Sequence, residues 1–149
     1  YLKYKKKYNT IKGGSIINNI KALFESNSIS NTNLNTCLNN YLKKQLNKEK
    51  NIDVDNQKNL LLIFYVDWCI YCKSFLKEET TNLLSSSHSK NILFIDGQTL
   101  DDNLKNKFKV NEYPLILKIK SNSTEDNIQK SYFGGNRNSK NILSFLEEK

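Results

Sequence analysis

The sequence predicts an α/β fold, a mixed central sheet with helices on both faces, and three observations carry that expectation. Leu60 to Val66 is an unbroken apolar run of seven residues, as a strand covered on both faces requires. Directly after it, Cys69-Ile70-Tyr71-Cys72 stands at the start of a helical pattern. From there the chain reads strand, helix, strand, helix, hairpin, closing helix, with its one proline, Pro114, at the mouth of a strand.

The elements follow in order. Residues 1–14 read as a basic flexible tail that ends at Gly13-Gly14. Residues 15–50 read as a helical N-terminal segment, packed on the domain or part of it. Within it Ser15 is placed to cap a short helix carrying Ile16, Ile17, Ile20, Leu23 and Phe24. After a polar connection from Ser26 to Asn33, Leu34, Cys37, Leu38, Tyr41, Leu42 and Leu46 form one apolar stripe of a second helix. Cys37 within that stripe reads as a small buried hydrophobe. The α/β domain is assigned to residues 51–149, where Ile52 and Val54 suggest a short strand ahead of Leu60–Val66.

The helix after the cysteines carries Phe75, Leu76, Leu83 and Leu84 and ends in a serine-rich loop. His88 in that loop, the one histidine, is expected to be exposed and uninvolved. Asn91–Asp96 reads as a strand and Leu100–Phe108 as a short helix. Leu115–Lys120 alternates apolar and basic residues, as a half-covered strand does. Ile128–Phe133 is its hairpin partner, and Ile142, Leu143, Phe145 and Leu146 mark the last helix.

At 149 residues and 38% hydrophobic composition the chain has material for one core. Its longest apolar run falls far short of the about 20 residues that cross a bilayer. The chain begins at Tyr1 and lacks Met, which suggests that a leading segment has been removed or left out. Three cysteines, two of them in one motif, do not make a disulfide framework. The net charge of +8 is uneven, since Lys3, Lys5, Lys6, Lys7 and Lys12 lie in the tail and leave three net charges for the rest. With Arg137 the single arginine, specific nucleic-acid reading is not expected. The tail reads as a solvated segment, or as a weak electrostatic contact to an anionic surface.

Two cysteines three apart at a helix start share one face and can close a small disulfide ring. The first also meets unpaired backbone N–H groups and the positive end of the helix dipole, which favour thiolate over thiol, and the thiolate is the nucleophile. Pro114 fixes the backbone and removes an N–H at a strand mouth, a liability unless the turn itself is useful. A cis Tyr113–Pro114 bond is therefore expected.

Four segments in this order, Phe64-Tyr65-Val66-Asp67-Trp68-Cys69-Ile70-Tyr71-Cys72-Lys73, Glu112-Tyr113-Pro114, Tyr132-Phe133-Gly134-Gly135 and Arg137, resemble the thioredoxin superfamily over roughly Asn59 to Lys149. Within it the chain is most similar to a catalytic domain of the protein disulfide isomerases. The resemblance implies a thioredoxin-like fold with a cis-proline loop facing the dithiol across a substrate groove. By the same resemblance Cys69 is the attacking thiolate and Cys72 the resolving thiol. Trp68, Tyr113 and Pro114 flank the site, and Arg137 favours the Cys72 thiolate. The chain departs from the family in two places: Ile70-Tyr71 replaces the usual Gly-Pro or Gly-His, and Ile63 stands where many members carry a buried acid.

The expected activity is thiol–disulfide exchange on protein thiols and disulfides, with no cofactor and no metal. The alternatives are a weakly active thioredoxin-like binding or virion structural protein, and a zinc site built from Cys37, Cys69, Cys72 and His88, whose spacing matches no common zinc pattern. The tail Tyr1-Leu2-Lys3-Tyr4-Lys5-Lys6-Lys7-Tyr8 with Lys12-Gly13-Gly14 resembles N-terminal segments of proteins from giant DNA viruses of amoebae, which implies a virion or an infected-cell cytoplasm. The final residues Leu146-Glu147-Glu148-Lys149 carry no endoplasmic-reticulum retention signal.

Overall fold

The structure, a computed structural model, describes residues 27–45 and 54–149. The expected tail, the Gly13-Gly14 break, the Ser15-capped helix, Leu46 and Ile52 lie outside the described residues. Five strands form one mixed sheet in the order β1-β3-β2-β4-β5. They are β1 (Ser28–Ile29), β2 (Leu60–Tyr65), β3 (Ile92–Asp96), β4 (Leu115–Ile119) and β5 (Lys130–Tyr132). The helices are α1 (Asn31–Leu42), α2 (Ile70–Leu84), α3 (Asp102–Phe108) and α4 (Ser139–Glu147).

β2 is the centre of the sheet, parallel to β3 and antiparallel to β4, with Ile63 opposite Phe94 on one side and Ile116 on the other. All six of its residues are buried. Successive side chains leave a strand on opposite faces, so this run supplies two cores at once. Leu60, Leu62 and Phe64 join Leu34, Cys37, Leu38 and Tyr41 of α1 and Leu104 and Phe108 of α3. Leu61, Ile63 and Tyr65 join Phe75, Leu76, Leu83 and Leu84 of α2 and Ile142 and Leu146 of α4. Burying each such side chain contributes about 1.5–3 kcal/mol.

Several details differ from the sequence expectation. Residues 26–33 were expected to be a polar connection, yet Ser28–Ile29 pairs with Phe94 and Ile95 as a parallel edge strand. A two-residue strand has no periodicity to read, and it exists because β3 offers an open edge. Val54 packs against the core without belonging to a strand. The helix expected from Leu100 starts at Asp102, because Asp101 takes the N-cap and its carboxylate accepts the Leu104 N–H at 2.9 Å.

β4 is not half-covered: all five residues are buried, Lys118 included. α4 covers that face, and the Lys118 ammonium passes over the Phe145 ring at 4.5 Å to donate to the carbonyls of Phe145 (2.8 Å) and Glu148 (2.9 Å). Carbonyls at a helix C-terminus lack internal partners, so a cation there is stabilised while its stem packs as a hydrophobe. Burial lowers the pKa of this ammonium. His88 is likewise not uninvolved. It is half-buried, and its Nε2 lies 2.8 Å from a Glu147 carboxylate oxygen at the end of α4.

Two asparagines close the pole of the sheet where β2 and β3 begin. The Asn91 amide, 3% exposed, donates to the carbonyls of Asp55 (2.8 Å) and Asn59 (2.9 Å) and accepts the Asp55 N–H at 3.0 Å. Asn59 donates to the carbonyls of Leu146 and Glu148, both at 2.9 Å, and accepts the Ser121 N–H at 2.9 Å. Replacing Asn91 by Ala leaves buried backbone groups unpaired, which costs about 1–3 kcal/mol. Thermal denaturation should show a Tm several degrees lower, and an unchanged Tm would mean that the bonds contribute nothing.

Candidate active site

β2 delivers the chain to its C-terminal edge at Tyr65, and Val66 remains buried. Asp67 and Trp68 carry it out to the surface, where Cys69 becomes the N-cap of α2 with extended backbone (φ −86, ψ 119). Its side chain therefore turns back over the first helical turn, and its sulfur accepts the Cys72 N–H at 3.3 Å. A sulfur in the capping position satisfies one of the unpaired N–H groups of the helix start. Cys69 is half-buried. Cys72, one turn on, is fully buried among Ile63, Tyr65, Val66 and Phe75.

The Tyr113–Pro114 bond is cis, as the sequence led one to expect, and the loop closes over the dithiol. The Cys69 thiol donates to the Tyr113 carbonyl at 3.6 Å. The Tyr113 ring meets Trp68 edge-on, centroids 6.3 Å apart at 82°. Its position is fixed from below by Gly97, a residue the sequence reading passed over. A Cβ on Gly97 would lie 2.4 to 2.6 Å from the Tyr113 ring and hydroxyl, so the ring occupies the space that any side chain would need. The only sequence signal was a glycine directly after a strand, and that does not say which ring lies over it.

The electrostatics separate the two thiols. Burial, reinforced by the neighbouring Cys69, pushes the Cys72 thiol up from 9.0 to about 12, against smaller opposing contributions from a Val66 backbone hydrogen bond and the Arg137 charge. Arg137 is exposed in the loop between β5 and α4, and its charge is the smallest of these contributions. Ile63 is fully buried in the same apolar cluster as Cys72, so an aliphatic side chain stands at the position where a carboxylate was the alternative. Burial also raises the Tyr113 phenol, with Asp96 and Cys72 adding to the effect.

Trp68, Cys69, Cys72, Tyr113 and Pro114 are therefore brought together, with Arg137 in electrostatic reach. Cys37 is not among them. It is buried on the other face of the sheet, while His88 pairs with Glu147 beyond the far end of α2. The four side chains of the zinc alternative are thus dispersed, and among the described residues no group of three or more His, Cys, Asp or Glu forms a metal cluster. A cleft of about 930 Å³ lies at the opposite pole, lined by residues such as Lys58, His88, Asn91, Lys120 and Glu147, and neither Cys69 nor Cys72 reaches it.

A family model described as Thioredoxin matches residues 41–148. The chain belongs to the thioredoxin family. Among solved structures it is similar to the first thioredoxin domain of mouse protein disulfide-isomerase A4, at 21% identity and TM-score 0.54 over 80% of this chain and 71% of that one. It is also similar to mitochondrial thioredoxin 3 of Saccharomyces cerevisiae in its oxidised form, at 14% identity and TM-score 0.54 over 83% of this chain and 95% of that one. Human ERp44 matches at 16% identity and TM-score 0.53, with 82% of this chain spanning 29% of that protein. At these identities the likeness is one of fold. Membership in the family supports a thiol–disulfide oxidoreductase class of activity.

Two outcomes follow from this geometry. Iodoacetamide on reduced, folded protein should label Cys69 first. Burial pushes the Cys72 thiol well above an ordinary thiol, so less of it is present as the thiolate that alkylates. Peptide mapping that found Cys72 labelled first would reverse the assignment of the two thiols. Gly97→Ala should displace the Tyr113 ring, at a cost of about 1–3 kcal/mol for overpacking. Because Trp68 is the one tryptophan and touches that ring, its emission should shift, and an unchanged spectrum would mean the ring is not held from below.

Proposed function

We propose that the chain is a thiol–disulfide oxidoreductase acting on protein disulfides, with Cys69 as nucleophile and Cys72 as resolving thiol. The observation that carries this reading is the position of Cys69 Sγ. The sulfur accepts a helix N–H on one side and faces the carbonyl of the cis-proline loop on the other, and the group remains open to solvent. The Cys69 thiolate attacks one sulfur of a substrate disulfide. A Cys69–substrate bond forms, and the other substrate sulfur leaves as a thiolate that takes a proton from water. Cys72 then loses its proton and attacks Cys69 Sγ, which releases the second substrate thiolate and leaves a Cys69–Cys72 disulfide. Two electrons pass to the substrate, and the same steps reversed oxidise a dithiol. No cofactor enters the exchange.

Trp68, Tyr113 and Pro114 form the flank against which substrate backbone would lie extended, a pose suited to protein chains. The Tyr-Pro pair and the Tyr132-Phe133-Gly134 stretch favour an isomerase-like member over a plain reductase. Burial of Cys72, in a cluster where Ile63 takes the place of the carboxylate, favours a slow second step, since the proton must leave without that acid. Mixed disulfides of some lifetime suit isomerisation, in which substrate sulfurs rearrange before release. The same feature is what favours the second reading, a weakly active binding protein.

Cys72→Ser removes the resolving step, so mixed disulfides with protein partners should accumulate and appear as reducible bands on non-reducing gels. They should vanish when Cys69 is also changed to Ser. If the Cys72→Ser protein traps nothing while Cys69 still alkylates, the catalytic reading fails and the binding one takes its place.

A further inference from the structure

Among the described residues, most large apolar side chains are buried or partly buried. Those that stand open are Trp68 (66% exposed), Ile70 (74%), Tyr71 (70%) and Tyr132 (40%). The first three surround Cys69 in the chain. Nothing in the folding of α2 calls for them. Ile and Tyr have middling helix propensity, and the first turn of a helix favours acidic residues, of which α2 has none there whereas α3 has Asp102. Ile70 and Tyr71 thus expose apolar area at positions where polar or acidic residues would serve the helix better.

We infer that Ile70 and Tyr71, with Trp68, are specificity residues that select disulfides flanked by large apolar side chains in extended protein segments. This rests on the exchange reaction proposed above. Sulfur must approach Cys69 Sγ to about 3–3.5 Å to react. The residues attached to that sulfur then lie on the surface around Cys69. Helical side chains lean toward the N-terminus of their helix, which brings Ile70 and Tyr71 over the turn that holds Cys69. A flanking Leu or Phe would remove its own area and theirs from water, whereas a Gly or Ser would leave the patch wet. The three patch side chains carry no charge, so a small anionic thiol such as glutathione finds no counter-charge in them.

The test uses two synthetic peptides, each with one internal disulfide, identical except that the residue after the reacting cysteine is Leu in one and Ser in the other. Dithiothreitol supplies the electrons that regenerate the Cys69/Cys72 dithiol. The full chain should reduce the Leu peptide with a kcat/KM about tenfold higher, the lower end of what an apolar contact discriminates. Ile70→Ser/Tyr71→Ser should bring the ratio near one, and Ile70→Leu/Tyr71→Phe should keep it. Equal rates on both peptides, or a ratio that survives the serine variant, overturn the inference and leave the exchange reaction standing. Turnover of neither peptide overturns both. The substitutions are at exposed positions, so unchanged Tm values separate selectivity from folding.

Discussion

The burial of β2 on both faces is the constraint from which the rest follows. A strand with no exposed side chain demands a layer of helices above and below, and α1 with α3 on one face and α2 with α4 on the other meet that demand. Such a strand can approach solvent only at its ends. The chain leaves it at Val66, and three residues later Cys69 caps α2, so that thiol stands on an edge whose position is set by both cores. Rigidity at that edge is what a reacting sulfur needs, because a loop of equal length without such an anchor would hold Cys69 and Tyr113 in no fixed relation.

Much of this was legible in the sequence because it rests on local pattern. The seven apolar residues of Leu60–Val66, the stripe of α1 and the 3.6-residue spacing in α2 and α4 are properties of neighbouring positions, and the helix start at the dithiol follows from them. Pro114 was informative for a different reason, since one proline at a strand mouth restricts the backbone wherever it occurs. What the sequence did not disclose depends on residues far apart. β1 exists through β3, Lys118 is buried because α4 lies over it, and His88 is engaged because Glu147 is brought to it. Gly97 matters through Tyr113, sixteen positions away, and no window of the chain contains that relation.

The two thiols show how one helical turn divides their chemistry. Cys69 is held in the capping position with partners for its sulfur on two sides, while Cys72 is sealed in an apolar cluster that opposes its charged form. Burial opposes its charged form more than the Val66 backbone hydrogen bond and the Arg137 charge favour it, so the second thiol is reluctant to ionise. Burial in the cluster that β2 helps to build is the largest influence on that thiol.

Lys118 offers a use that has nothing to do with disulfides. Its ammonium is enclosed between the Phe145 ring and the final carbonyls of α4, so an acylating reagent can reach it only when that helix lifts from the sheet. Among the described residues most other lysines stand in solvent and would be modified at once. The rate at which this one amine reacts therefore clocks the opening of the C-terminal helix, and the protein carries its own reporter of partial unfolding in the middle of a strand.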